Sequence, residues 1–209
     1  MSKRKIKQGE CIFSIAAERD VPWESIWNHP GNGELKQKRK LPNVLFPGDI
    51  LFVPDLEIKE EGGDSEQKHT FRKKRPKTVL RLRLIYDGEP LKETKYRLII
   101  DGHIFRGKTD TKGKLEQVIE ATAREGILSV HGDSSKHKLL FGYLDPVETT
   151  SGLQARLNNL GFDAGKVDGD WGSLTRAGMQ AFQLQKDELE KSSKPNDQTR
   201  NLLSKEYGS

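Results

Sequence analysis

The sequence predicts an α+β multidomain chain: a β-α-α-β unit at residues 1–56, a charged linker at 57–77, a small antiparallel β-sandwich at 78–147 and a three-helix module at 148–209. Three observations carry this division. Apolar residues recur at helical spacing near both ends of the chain, they alternate with polar residues in the middle, and a charge-rich stretch with few apolar residues separates the first unit from the second.

In the first unit, residues 5–8 are expected to form a short strand. Ile12, Ile15 and Ala16 fall on one helical face, so residues 14–19 read as a short helix. Pro22 ahead of Trp23 and Glu24 starts a second helix, with proline near its first turn where the missing N–H costs little. Residues 28–40 are polar and basic and read as a loop or a helix extension. Behind the turn Pro47-Gly48-Asp49, Leu51, Phe52 and Val53 read as a closing strand. The linker passes from acidic through glycine-rich to basic, and its run Arg72-Lys73-Lys74-Arg75 reads as a solvated end.

In the middle unit, Leu80, Leu82 and Leu84 interleave with Val79, Arg81 and Arg83, the period of two that a half-buried strand requires. Further strands are expected at residues 96–100, 118–119 and 126–130. Turns are expected at Asp87-Gly88, at Asp101-Gly102 and over residues 109–113. Turns every ~8–12 residues are the pattern of a small sandwich. In the last unit, Leu153, Leu157 and Leu160 share a helical face that ends at Gly161. Ala177, Ala181, Phe182 and Gln185 form a second helix, and Thr199, Leu202 and Leu203 mark a third.

Charge and composition narrow the function. Lysine and arginine number 36 against 31 acidic residues, a net +5 spread along the chain rather than gathered with aromatics on one face, which argues against a dedicated nucleic-acid binder. No run of about 18 apolar residues exists, so no membrane-spanning helix is expected. The N-terminus lacks the apolar core of a signal peptide. The chain is therefore expected to be made in the cytoplasm without one, and to reach the periplasm or cell exterior, if it acts there, through a secretion machine. Cys11 is the single cysteine, which excludes an intramolecular disulfide and a cysteine zinc cluster. The five histidines, His29, His69, His103, His131 and His137, are scattered, with no H-E-x-x-H pattern. His131 and His137, with Asp133 between them, read as a polar turn. No catalytic residue, metal or cofactor is expected.

Residues 6–55 contain IKQGECIFSIA, WESIWNHP and PNVLFPGDILFVP, and on these motifs the unit resembles the LysM domain. The resemblance implies a β-α-α-β fold that binds N-acetylglucosamine-containing glycans, chiefly peptidoglycan and chitin. It places the groove on Gly9, Glu10, Cys11 and Ile12 and on Asn43, Val44, Leu45 and Phe46. Cys11 stands where the family commonly has threonine, and residues 31–41 are longer and more basic than the usual connection.

Residues 152–186 contain GLQARLNNLGFDAGKVDGDWGSLTRAGMQAFQ, and here the chain resembles the helical peptidoglycan-binding domain often attached to cell-wall hydrolases. The resemblance implies a three-helix bundle around an Asp-Gly-aromatic-Gly loop. The implied peptidoglycan contacts are Asp168, Gly169, Trp171, Gly172, Thr175 and Arg176. The family usually repeats that loop before its last helix. Here KSSKPNDQTRNLL stands instead, in which only Thr199, Leu202 and Leu203 match, so one side of the cleft is expected to be altered. The middle unit, on DGEPLKETKYRLIIDGHIFRGKTDTKGKLE, resembles transthyretin-like or carboxypeptidase-regulatory sandwiches and brings no catalytic chemistry.

The function these readings imply is a non-catalytic bacterial peptidoglycan-binding protein with two wall-binding modules. One alternative is an adaptor of a contractile, type VI-like secretion system that binds a spike or effector protein. Another is a cell-wall hydrolase with a cryptic site.

Overall fold

The computed structural model describes residues 2–55 and 76–207. The chain has a mixed α+β fold with a helical C-terminal module. The linker expected at residues 57–77 lies outside the described residues, apart from Pro76 and Lys77, and so does its basic run at 72–75.

In the N-terminal unit, β1 (Ser2–Lys5) pairs antiparallel with β2 (Ile50–Val53), Lys3 opposite Phe52. The first strand lies earlier than the expected 5–8 because residues 7–10 are taken by a turn, closed by the Glu10 amide donating to the Lys7 carbonyl at 3.1 Å. Between the strands run α1 (Ile12–Arg19), α2 (Trp23–Trp27), a 3-10 turn (Pro30–Asn32) and α3 (Gly33–Arg39). The polar stretch 28–40 thus adds a third helix, and the element order is β-α-α-α-β. Only Leu35 of α3 is buried, so periodicity could not announce this helix. Its ends support it instead, with Glu34 in the first turn and Lys36, Lys38 and Arg39 in the last, each matched to the helix dipole. The apolar face of α1, Ile12, Ile15 and Ala16, closes on Ile26, Trp27, Leu51 and Val53.

One buried amide ties this unit together. The Asn32 side chain donates to the Ile26 carbonyl (2.7 Å) and the Phe52 carbonyl (2.8 Å), and accepts from the Phe52 amide (2.8 Å). It joins the helical layer to the middle of β2.

Eight strands follow: β3 (Lys77–Arg83), β4 (Ile85–Tyr86), β5 (Glu89–Pro90), β6 (Lys95–Ile100), β7 (His103–Lys108), β8 (Lys114–Glu120), β9 (Glu125–Val130) and β10 (Lys136–Leu140). One antiparallel sheet has the order β10-β9-β6-β7, and β3 pairs with β8 in a second. Leu98, Ile100, Leu128 and Val130 of the first sheet share a core with Leu115, Ile119, Leu80 and Leu82 of the second. Strands β7 and β10 escaped the sequence reading because both are edges. Their residues are mostly exposed, with lysine or arginine among them, and that weakens the alternation of buried apolar side chains.

The C-terminal module comprises α4 (Thr150–Asn159), α5 (Ser173–Leu184) and α6 (Asp197–Tyr207) around Leu153, Leu157, Met179, Phe182 and Leu203. Thr149 caps α4, its hydroxyl accepting from the Gly152 amide at 3.0 Å.

The three units meet at residues 141–149, between β10 and α4. The carbonyl of Gly9 accepts a hydrogen bond from Arg124 Nη1. The Gln8 amide lies 3.5 Å from both the Tyr143 carbonyl and Asp145 Oδ1. From the helical side, Ser151 Oγ donates to Asp145 Oδ2 (2.6 Å), and Arg156, 2% exposed, donates to the Asp145 carbonyl (2.8 Å). Asp145 therefore receives hydrogen bonds from the first and last units at once.

Replacing Asn32 by alanine strands a strand N–H and two carbonyls. We expect Asn32→Ala to cost roughly 3 kcal/mol, read as loss of hydrogen-exchange protection at the Phe52 amide. A loss under about 1 kcal/mol would mean that water or a neighbour takes over the amide's role.

Candidate functional site

The expected site residues fall into two groups. In the N-terminal unit the two groove loops are adjacent, since the Ile12 amide donates to the Pro42 carbonyl at 3.2 Å. Ile12, Val44 and Leu45 are buried and can offer a ligand only their backbone. Cys11 and Phe46 are half-buried and Asn43 is exposed, and with Val44 they line a large cleft.

Gly9 and Glu10 are both committed inside the protein. A Cβ at Gly9, which has φ +82°, would lie 2.8 Å from the Tyr143 ring, so glycine is required both by the backbone conformation and by the close approach. Glu10 pairs with Arg4 at 2.6 Å and accepts the Lys7 amide at 3.0 Å. Burial pushes its carboxyl up, but the Arg4 guanidinium and the Lys7 amide together hold it below the ordinary glutamate value. Arg4 also reaches Glu18 at 2.8 Å, which anchors β1 to the end of α1.

The second groove loop is set by an ion pair. Arg39 at the end of α3 grips Asp49 with two bonds, Nε–Oδ2 and Nη2–Oδ1, both 2.7 Å. Asp49 Oδ2 also accepts the Phe46 amide at 2.9 Å. Burial raises the Asp49 pKa, but Arg39 and the Phe46 N–H together lower it by more, leaving it below the ordinary aspartate value.

In the helical module, Gln154 is 1% exposed and organises the whole loop 167–172. Its Nε2 donates to Asp168 Oδ1 (2.9 Å), the Asp170 carbonyl (3.0 Å) and Thr175 Oγ1 (3.0 Å), and its Oε1 accepts the Gly169 amide (2.9 Å). Asp168 Oδ1 accepts the Asp170 amide as well, at 2.9 Å. The bonds from Gln154 and from that amide keep the Asp168 carboxyl below its ordinary value. Thr175 is buried, its hydroxyl donating to the Ala164 carbonyl at 3.0 Å, so it serves the loop. Trp171 is half-buried against the helical core, and Gly172 and Arg176 are exposed. Asp168 and Gly169 reach the same cleft as Cys11 and Asn43.

The loop before α6 lacks the Asp-Gly letters, yet it is held by an equivalent hydrogen-bond frame. Gln183, fully buried, donates to the Lys194 carbonyl (2.9 Å), lies 3.4 Å from Thr199 Oγ1, and accepts the Ser193 amide (2.9 Å). These partners repeat those of Gln154 with a loop five residues shorter: Gly169 corresponds to Ser193, the Asp170 carbonyl to Lys194, and Thr175 to Thr199. Ser193 even shares the left-handed backbone of Gly169, with φ 52° against 83°. Gly172, the cap position of α5, corresponds to Asn196, whose Oδ1 accepts the Thr199 amide at 2.8 Å. The second loop keeps the hydrogen-bond frame and loses the Asp-Gly lettering. The paired L-Q and F-Q dipeptides, Leu153-Gln154 and Phe182-Gln183, are the signal that reveals the repeat.

Among the described residues the histidines do not assemble. His137 Nε2 lies 2.7 Å from Asp133 Oδ2 on an exposed hairpin, where the Ser135 amide and then His137 hold Asp133 down to about 2. Among the described residues no group of three or more His, Cys, Asp or Glu is placed to hold a metal ion.

Residues 148–203 match a family model described as "Putative peptidoglycan binding domain". Comparison with curated proteins found no match, and comparison with solved structures found none. The match covers the module with the two glutamine-centred loops and supports a wall-binding role in general terms.

Two outcomes test these frames. Gln154→Ala and Gln183→Ala should each cost roughly 3 kcal/mol, measured by thermal unfolding followed at Trp171; a large cost at Gln154 with almost none at Gln183 would break the equivalence of the loops. Because the Asp49 pKa is lowered by folding, its contribution is full above the ordinary aspartate value and is lost as pH falls through the lowered one. The Phe46 amide resonance should therefore begin to shift below about pH 4, and Asp49→Asn should remove that shift while lowering stability at neutral pH.

Proposed function

We propose that the chain is a non-catalytic peptidoglycan-binding protein that engages the wall through two units, the helical module and the N-terminal α/β unit. The family match over residues 148–203 carries this reading. The exposed, internally buttressed loop 167–172 supports it, because a loop held by a buried amide presents its polar groups at little ordering cost. For the N-terminal unit the support is the presentation of Cys11, Asn43 and Phe46 on one surface, where Phe46 can pack on a sugar face and Asn43 can pair with an acetamido group.

A second reading, an adaptor that binds a spike or effector protein of a secretion machine, is favoured by the outer face of the four-stranded sheet. There Ile104 and Ile127 are exposed and flank Ile99 in register, beside the cross-strand pair Arg97 and Arg106. An apolar strip with a charged rim is the anatomy of a protein contact.

Incubated with purified sacculi, the full-length chain should pellet with them, be released by soluble muropeptides, and free no reducing sugar. Recovery of all the protein in the supernatant overturns the wall-binding reading in favour of the adaptor. Release of soluble sugar overturns the non-catalytic part.

A further inference from the structure

The two candidate surfaces do not face separate solvent. Cys11, Asn43 and Phe46 of the N-terminal unit line the same cavity as Val167, Asp168 and Gly169 of the helical module. We propose that the two units form one composite site, a cleft that holds a single stretch of peptidoglycan glycan with its stem peptide between them. This rests on the wall-binding reading and specifies how that binding is done: one strand gripped from two sides, rather than two modules anchoring independently along a linker.

Size points to a polymer. The cleft measures about 2550 Å³, whereas small-molecule sites run about 300–1,000 Å³. Its walls carry what a sugar-peptide chain needs, apolar surface at Phe46 and Val167 and hydrogen-bonding groups at Asn43 and Asp168. A repeating polymer is the ligand that can touch both walls at once, and the family match puts peptidoglycan on one of them.

The joint at residues 141–149 ties the two walls together through hydrogen bonds. Asp145 receives Gln8 from the N-terminal unit and Ser151 and Arg156 from α4, and Arg124 holds the Gly9 carbonyl directly. Gly9, assigned to the groove by sequence, also makes a contact of the joint at the edge of the site. Tyr143, packed on Gly9, also lines the cleft, so the joint and the site share a side chain. Pre-setting both walls removes the entropy that flexible tethering would lose on binding.

The test is titration of the full-length chain with a soluble muropeptide dimer, by calorimetry and by amide NMR. The expected result is one ligand per chain, with the amides of Cys11 and Asn43 and those of Val167 and Gly169 shifting along a single isotherm. Asn43→Ala and Val167→Ala should each weaken that isotherm about tenfold, while Ile104→Ser, on the far sheet face, leaves it unchanged. Two ligands per chain, with each variant affecting one event, overturns the composite site and leaves wall binding intact. Shifts confined to one wall overturn it as well. No shifts at either wall, in a chain that also fails to pellet with sacculi, remove both the composite site and the wall-binding reading.

Discussion

A buried side-chain amide is the device on which this protein's loops depend. Gln154 lies inside the helical module and satisfies one backbone N–H, one backbone carbonyl, one carboxylate and one hydroxyl of the loop that follows α4. An amide can do this because it presents donors and an acceptor in one plane, so a single side chain can fix a turn whose own backbone groups have no ladder to join. The same solution appears at Gln183 and, in another fold, at Asn32. In each case leaving the amide out would strand buried polar groups, and that penalty is what holds an irregular segment in one conformation.

Such a device suits a chain whose cores are small. Each of the three apolar clusters is built from about ten side chains or fewer at full burial, and a module of this size has little hydrophobic surplus to rigidify its surface loops. Polar cross-bracing supplies that rigidity to the loops 167–172 and 43–46. The Arg39–Asp49 pair does the same for the second groove loop: two short charge-assisted bonds, nearly buried, with the remaining capacity of Asp49 turned on the Phe46 amide.

The joint extends the same principle between units. Glycine at position 9 leaves room for the Tyr143 ring, Arg124 caps the Gly9 carbonyl, and Asp145 accepts from both neighbours. The contact is narrow and polar, as interfaces between domains of one chain often are. Surfaces that belong to units far apart in the chain share one cavity.

Much of this was legible in the residues themselves. Helical spacing at Ile12, Ile15 and Ala16 and at Leu153 and Leu157, alternation at Leu80, Leu82 and Leu84, and the glycine-bearing turns located most of the helices and strands, because local periodicity is what a buried face imposes on a chain. The likeness of residues 148–203 to a peptidoglycan-binding domain was equally legible, since it rests on a local string of letters. Elements whose residues are mostly exposed, α3, β7 and β10, left no periodic trace, and the second glutamine-centred loop hid behind a different spelling of the same hydrogen bonds. Only the tertiary structure decided that Gly9 and Glu10 serve the interior, that Gln154 and Gln183 are equivalent, and that two candidate surfaces line one cleft. Apart from the local bonds of Glu10 to Arg4 and Lys7, those facts rest on contacts that reach from 10 to 137 positions along the chain, and a local pattern does not encode a partner that the chain meets only after it has folded.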